Sequence, residues 1–179
     1  GQWIYLKDGS RILDFSGGYG FLSHGHNHPR ILNARINFQK ENNMEVHKNY
    51  LSQYTAALSS NISNLLPGDL NKVYLPNSGA EANEGAIKLA YKYYEGKKKY
   101  LLHSDISFHG KLLGTGSISS SPEADFKFPG LTNVDKFEYN NITSLEKKVN
   151  EYKDDIYAII IEPFSASSLR SLSKEFLFK

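Results

Sequence analysis

The chain contains no cysteine. Disulfides, thiolate metal sites and cysteine nucleophiles are therefore excluded. It also lacks a strong charge of either sign: 21 lysines and arginines face 19 acids, for a formal net charge of +2. So near a balance gives no field for gathering nucleic acid or an acidic membrane, and neither is expected as a partner. No apolar run approaches the roughly 20 residues needed to cross a bilayer. No signal peptide is visible, and a cytoplasmic location is expected. Internal repeats and low-complexity tracts are missing as well. The first residue is Gly1 rather than methionine, and the closing stretch Glu175–Lys179 carries no sign that a domain has ended. Both ends are expected to be cuts.

What remains is ordinary globular composition. Of the 179 residues, 40% are apolar or aromatic and 22% are charged, enough for one domain or somewhat more. Trp3–Leu6 and Ile12–Phe15 read as the arms of a β-hairpin turning on Asp8-Gly9, a dipeptide that accepts positive φ. A flexible Ser16–Gly20 segment follows. Pro29 opens a helix carrying Ile31, Ala34, Arg35 and Phe38 at helical spacing. A second helix, about Leu51 to Leu66, aligns Leu51, Tyr54, Leu58, Ile62 and Leu65 on one face and stops at Pro67-Gly68. Then come a short strand at Lys72–Leu75, a helix from Ser78 to Glu95 and a strand at Lys99–His103. Gly110–Gly130 reads as a long loop, a length that points to function or disorder. A strand at Val134–Tyr139 and a helix marked by Leu145, Val149 and Tyr152 follow. The continuous β-branched run Ile156–Ile161 suits a strand buried on both faces. Strands alternating with helices predict an α/β domain with a mostly parallel sheet. An N-terminal hairpin segment, 1–45, precedes a larger domain, 46–179.

The most informative stretch is Leu75–Glu84. A strand ends, the chain turns at Gly79, and a helix begins. Ser78 with Glu81 three residues on is a capping box. The amides of Gly79 and Ala80 would point outward at the positive end of the helix dipole, a setting that accepts an anion. Gly79 has no side chain to obstruct a phosphate. A well-capped surface helix that binds nothing fits the same residues. Glu84 and Lys88 suit an i,i+4 ion pair, with Lys92 extending the row.

Two further loops follow strand ends, where ligands sit in open α/β sheets. Ser107-Phe-His-Gly110 offers Phe108 to stack on a flat ring. Glu162-Pro163 offers a carboxylate to orient polar groups. Ordinary core packing and a strand-terminal acid facing water are the plainer readings. His24, His26 and His28 alternate, so an extended backbone would place them on one face as zinc ligands. The intervening glycine and asparagine suit a histidine-rich turn instead.

Taken together, Asp14–Gly20, His24–Pro29, Asn77–Glu84 with Ala86–Ala90, Phe108–Gly110 and Ile161–Pro163 resemble the class III aminotransferases of the fold type I pyridoxal-phosphate family. Acetylornithine, ornithine and 4-aminobutyrate aminotransferases belong to that class. The segments occur in the family's order over nearly the whole chain. The resemblance implies a fold type I large-domain fragment and pyridoxal 5′-phosphate as cofactor. It implies that Ser78, Gly79 and Ala80 hold the cofactor phosphate and that Phe108 stacks on the pyridine ring. His109 and Gly110 would shape that loop, Glu162 would join the polar network near the ring, and Tyr19 would line the substrate pocket. A homodimer is expected of the full-length protein. The reaction implied moves an amino group from a small-molecule amine or amino acid to a keto acid or aldehyde.

The resemblance also places key residues beyond residue 179: an aspartate for the pyridine nitrogen, the Schiff-base lysine, a threonine for the partner's phosphate and a substrate-binding arginine. No catalytic residue is therefore expected in this chain, and these residues alone are expected to be inactive. Lys88 and the Lys97–Lys99 run read as solvated charge. Ser167 stands where family members often carry a second glutamate, which unsettles the choice of substrate. Aminomutase or decarboxylase chemistry, a non-catalytic interaction module and a histidine-rich metal-binding protein are the other readings.

Overall fold

The computed structural model describes residues 1–45, 47, 49–120 and 129–178. By internal contacts the chain forms two compact units, Gly1–Val73 and Tyr74–Lys179. Part of the expected 110–130 loop, residues 121–128, lies outside the described residues.

The first unit opens with the expected hairpin. Strand β1 (Trp3–Tyr5) pairs antiparallel with β2 (Arg11–Leu13), Ile4 opposite Ile12. The turn is longer than a two-residue one. The amide of Gly9 donates to Leu6 O at 3.1 Å, the amide of Leu6 donates to Ser10 O at 2.9 Å, and Gly9 rather than Asp8 takes the positive φ. That is the three-residue loop in which a turn is closed by one left-handed glycine. Asp8 instead accepts hydrogen bonds from the amide and hydroxyl of Ser10. Helix α1 (Pro29–Lys40) begins on its proline. Helix α2 (Gln53–Leu65) begins after Ser52, so Leu51 falls outside the apolar face expected of it. No residue of either helix is buried.

The second unit holds the parallel sheet. Strand β3 (Tyr100–Ser104) lies between β4 (Val134–Phe137) and β5 (Ile156–Ile160), parallel to both. Successive side chains of β3 face opposite sides. Leu101 joins Ile87 and Ile118 on one side, and Leu102 joins Phe137, Leu172 and Phe176 on the other. Helix α3 (Gly79–Tyr93) supplies Ile87 to the first cluster. Helix α5 (Ile142–Tyr152) and helix α6 (Lys174–Leu177) cover the second. Helices on both faces of a parallel sheet are the arrangement that the alternating pattern predicts.

Three expectations need correcting, and one feature was not foreseen. Lys72–Leu75 forms no strand: a strand exists only with a hydrogen-bonded neighbour, and among the described residues this stretch has none. The β-branched run at β5 is an edge strand with Ile159 43% exposed, and the strand buried on both faces is β3. The loop after Gly110 contains a short helix, α4 (Leu113–Ser117). Beyond Pro163, strands β6 (Phe164–Ser165) and β7 (Arg170–Ser171) form a small antiparallel pair that no residue pattern announced. Among the described residues, no helix is long and apolar enough to cross a membrane.

Candidate functional site

Helix α3 starts as its first residues dictate. Ser78 is the N-cap, in extended conformation, and its hydroxyl accepts from the amide of Glu81 at 3.2 Å. The Glu81 carboxylate reaches past the cap and accepts from the amide of Asn77 at 2.6 Å, one residue earlier than the expected capping box. Both ends of Glu81 are thereby occupied on the near side of the cap. The amides of Gly79 and Ala80 keep no acceptor among the described residues, since the first turn of a helix has no carbonyl for them. A side chain added at Gly79 would meet nothing within 4 Å. The helix therefore presents two N–H groups without acceptors at its positive end, with open space beside Gly79.

The aromatic loop is brought to the same place. A Cβ added at Gly110 would lie 2.5 Å from Ala80 Cβ, so the loop backbone rests directly against the first turn of α3. The side-chain amide of Asn83 donates to His109 O at 2.9 Å. The amide of Phe108 donates to Glu162 Oε2 at 2.9 Å, which ties the loop after β3 to the segment after β5. Phe108 itself is 41% exposed, so the ring is free to cover something flat rather than being spent in the core. Glu162 is half-buried and engaged, not a strand-end acid directed at water.

His109 is 5% exposed. Burial pushes its imidazole down to about 4, with the neighbouring His103 adding to the effect. The ring is neutral near pH 7, and its Nε2 is buried with no hydrogen-bond partner. The backbone of His109 is well held: its amide donates to Ser119 Oγ at 2.8 Å.

Ser78, Gly79, Ala80, Phe108, His109, Gly110 and Glu162 thus converge within the second unit, around the start of α3. The turn at Asn77 leaves a coil rather than the expected third strand end, while the other two loops do follow β3 and β5. Tyr19 belongs to the first unit, where it is 98% exposed at φ +60°. In that unit His26 Nε2 pairs with Asp14 Oδ2 at 2.8 Å, and His24 and His28 meet edge to face. Among the described residues no group of three histidines, aspartates or glutamates is placed to hold a metal ion.

Sequence reasoning missed Asn83, Glu84 and Ser119. Glu84 does not pair with Lys88. Its Oε1 accepts from the amides of Gly114 and Thr115, at 2.7 and 3.0 Å, at the start of α4. Only its place inside the Asn77–Glu84 motif singled it out.

A family model described as aminotransferase class-III matches residues 1–177. An acetylornithine aminotransferase of Prochlorococcus marinus is 32% identical over 171 residues, 91% of this chain and 40% of that protein. A probable mitochondrial acetylornithine aminotransferase of Schizosaccharomyces pombe is 34% identical over 176 residues, again 91% of this chain, and 38% of that protein. Among solved structures, an ornithine aminotransferase of Toxoplasma gondii, described with partial occupancy of PLP at its active site, superposes with a TM-score of 0.85 at 24% identity. The match covers 99% of this chain and 43% of that one. The chain therefore spans about two fifths of the length of such relatives.

Proposed function

The chain belongs to the class-III aminotransferases, and from that membership we propose that it supplies the phosphate- and ring-holding side of a pyridoxal 5′-phosphate site in a transaminase. The carrying observation is the pair of amides at Gly79 and Ala80, without acceptors among the described residues, at an exposed helix start directly beside the loop that bears the exposed Phe108. When bound, the coenzyme supplies the electron sink through which an amino group leaves a donor amine or amino acid and reaches a keto acid or aldehyde. This chain's residues bind and orient. Ser78, Gly79 and Ala80 receive the phosphate, with the helix dipole favouring its charge. Phe108 covers the ring, and Glu162 fixes the Phe108 backbone. Gly110 allows the loop to close on Ala80, and neutral His109 shapes the loop without adding charge. Tyr19 lines the substrate pocket, and two full-length copies form a homodimer.

A proline tests the cradle. Position 79 is the first helical residue, where proline is tolerated because its missing N–H has no intrahelical acceptor. The preceding Ser78 is already extended, at φ −150° and ψ 161°, as a residue before proline must be. Gly79→Pro in the intact protein is expected to leave the melting temperature unchanged. It is also expected to weaken pyridoxal phosphate binding by roughly tenfold or more, the loss of one charge-assisted hydrogen bond worth about 1.5–3 kcal/mol. Unchanged affinity, or no uptake by the parent, sinks the reading.

A second expectation concerns residues 1–179 by themselves. None of their lysines is positioned by this reading to link covalently to the coenzyme. Borohydride treatment after incubation with pyridoxal phosphate is expected to fix no pyridoxyl group at any single lysine, as peptide mass mapping would show. Stoichiometric labelling at one lysine contradicts it.

A further inference from the structure

We propose that Glu84 is a positioning residue: from the second turn of α3 it holds the Phe108 loop at the separation from the Gly79 and Ala80 amides that one phosphorylated ring requires. The inference rests on the cofactor reading above and adds to it the part that sets the geometry.

Helix α3 presents two kinds of group toward this region. Its first turn offers bare amides. Its second turn offers Asn83 and Glu84, both half-buried and both bonded to the segment that follows Phe108. Glu84 Oε1 collects the amides of Gly114 and Thr115, two residues that are themselves buried. A carboxylate receiving two N–H groups makes charge-assisted bonds, stronger than neutral ones. The approach is close. A Cβ at Gly114 would fall 2.5 Å from Glu84 Oε2, so a side chain there would force the carboxylate to shift.

From α4 the connection runs back to the aromatic loop without a break. Thr115 Oγ1 accepts from the amide of Leu112 at 3.1 Å. Ser119 Oγ accepts from the amide of His109 at 2.8 Å, and has Thr115 O at 2.8 Å and Gly110 O at 3.0 Å to donate to. Asn83 supplies a second, direct tie to His109 O. The ring and the phosphate of a coenzyme are rigidly joined. A site that uses both must fix the spacing of its two halves, and here both halves are fastened to one helix. If Glu84 merely stabilised the fold, its loss would weaken every ligand of the site alike.

Two probes on the intact protein separate these roles. Inorganic phosphate engages the amides alone, whereas pyridoxal phosphate engages the amides and the loop together. With Glu84→Ala, phosphate affinity is expected to stay within about threefold of the parent while pyridoxal phosphate affinity falls roughly tenfold or more, the scale of loss that follows misplaced binding groups. The induced circular dichroism of the bound coenzyme is expected to weaken in step. Glu84→Gln keeps an oxygen acceptor for the two amides and is expected to restore most of both signals; it also serves as the folded arm if the alanine variant does not fold. Parallel losses for the two probes, or an unchanged coenzyme affinity, overturn the inference. A parent that takes up no pyridoxal phosphate at all overturns the cofactor reading itself, and this inference with it.

Discussion

Gly110→Ala is expected to destabilise the second unit by roughly 3–5 kcal/mol, the sum of backbone strain and overpacking at a site that cannot relax. Two independent causes act at once. Gly110 has φ +132°, a region that residues with a Cβ rarely enter. The added methyl would also lie 2.5 Å from Ala80 Cβ, 2.9 Å from Ala80 Cα and 2.8 Å from Thr115 Oγ1. None of these is the free end of a flexible side chain: two belong to the first turn of α3, and the hydroxyl is already bonded to Leu112. The loop must therefore lift from the helix, and Phe108 with it. Urea unfolding followed by far-ultraviolet circular dichroism gives the stability change. Ala80→Gly in the same chain removes one of the three contacts and is expected to return about 1–2 kcal/mol, a coupling that distant sites would not show. A Gly110→Ala variant within 1 kcal/mol of the parent would place the loop away from α3, and the proposed site would come apart with it.

How far the sequence revealed this arrangement depends on what each signal measures. The start of α3 was legible because a cap is a local device: Ser78 and Glu81 act within four residues of each other, and the helix begins where they place it. The parallel sheet was legible from alternation of strand and helix. Periodicity, however, reports which faces of a segment are apolar, not which neighbours it has. It therefore took Lys72–Leu75 for a strand and could not tell that β3, with a histidine and a serine in it, is the strand buried on both sides while the isoleucine-rich β5 lies at an edge. Strands β6 and β7, two residues each, are too short to carry a pattern.

Glu84 is the instructive miss. The helical i,i+4 rule offers it Lys88, a pairing worth a few tenths of a kcal/mol at an exposed surface. Two buried amides at the start of α4 compete with that lysine, and leaving them unpaired costs more than an exposed ion pair returns. The amides win, but they lie 30 and 31 residues away, and no local rule sees that distance. Phe108 and Glu162 were visible as candidate residue types after strand ends. That one holds the backbone of the other was not, because the bond joins positions 54 residues apart.

His109 makes the fold sensitive to acid in a defined window. In the unfolded chain its imidazole titrates near its ordinary value of 6.5, and in the folded state burial moves it to about 4. Between those values the unfolded state binds the extra proton and the folded state does not. Stability contributed by the neutral ring is therefore whole above pH 6.5, falls as the pH drops, and is spent once the folded ring protonates near pH 4. At about 1.4 kcal/mol per unit, the loss across the window is roughly 3 kcal/mol. His103, also held low by burial, acts in the same sense, so the share belonging to His109 is read from a variant. His109→Leu keeps the bulk and removes the titration. Because Nε2 has no partner to lose, the change is expected to cost less than about 1 kcal/mol at pH 7. Urea midpoints measured from pH 7 to pH 4.5 are expected to fall less steeply for the variant than for the parent, with its remaining slope due to His103. The carboxylates do not confuse the result, since the shifted ones titrate below their ordinary value of 3.8. Equal slopes for the two proteins would mean that His109 is open to water when folded. A loss of several kcal/mol at pH 7 would mean that Nε2 has a partner, and that the loop carrying Phe108 is held by one more bond than these contacts provide.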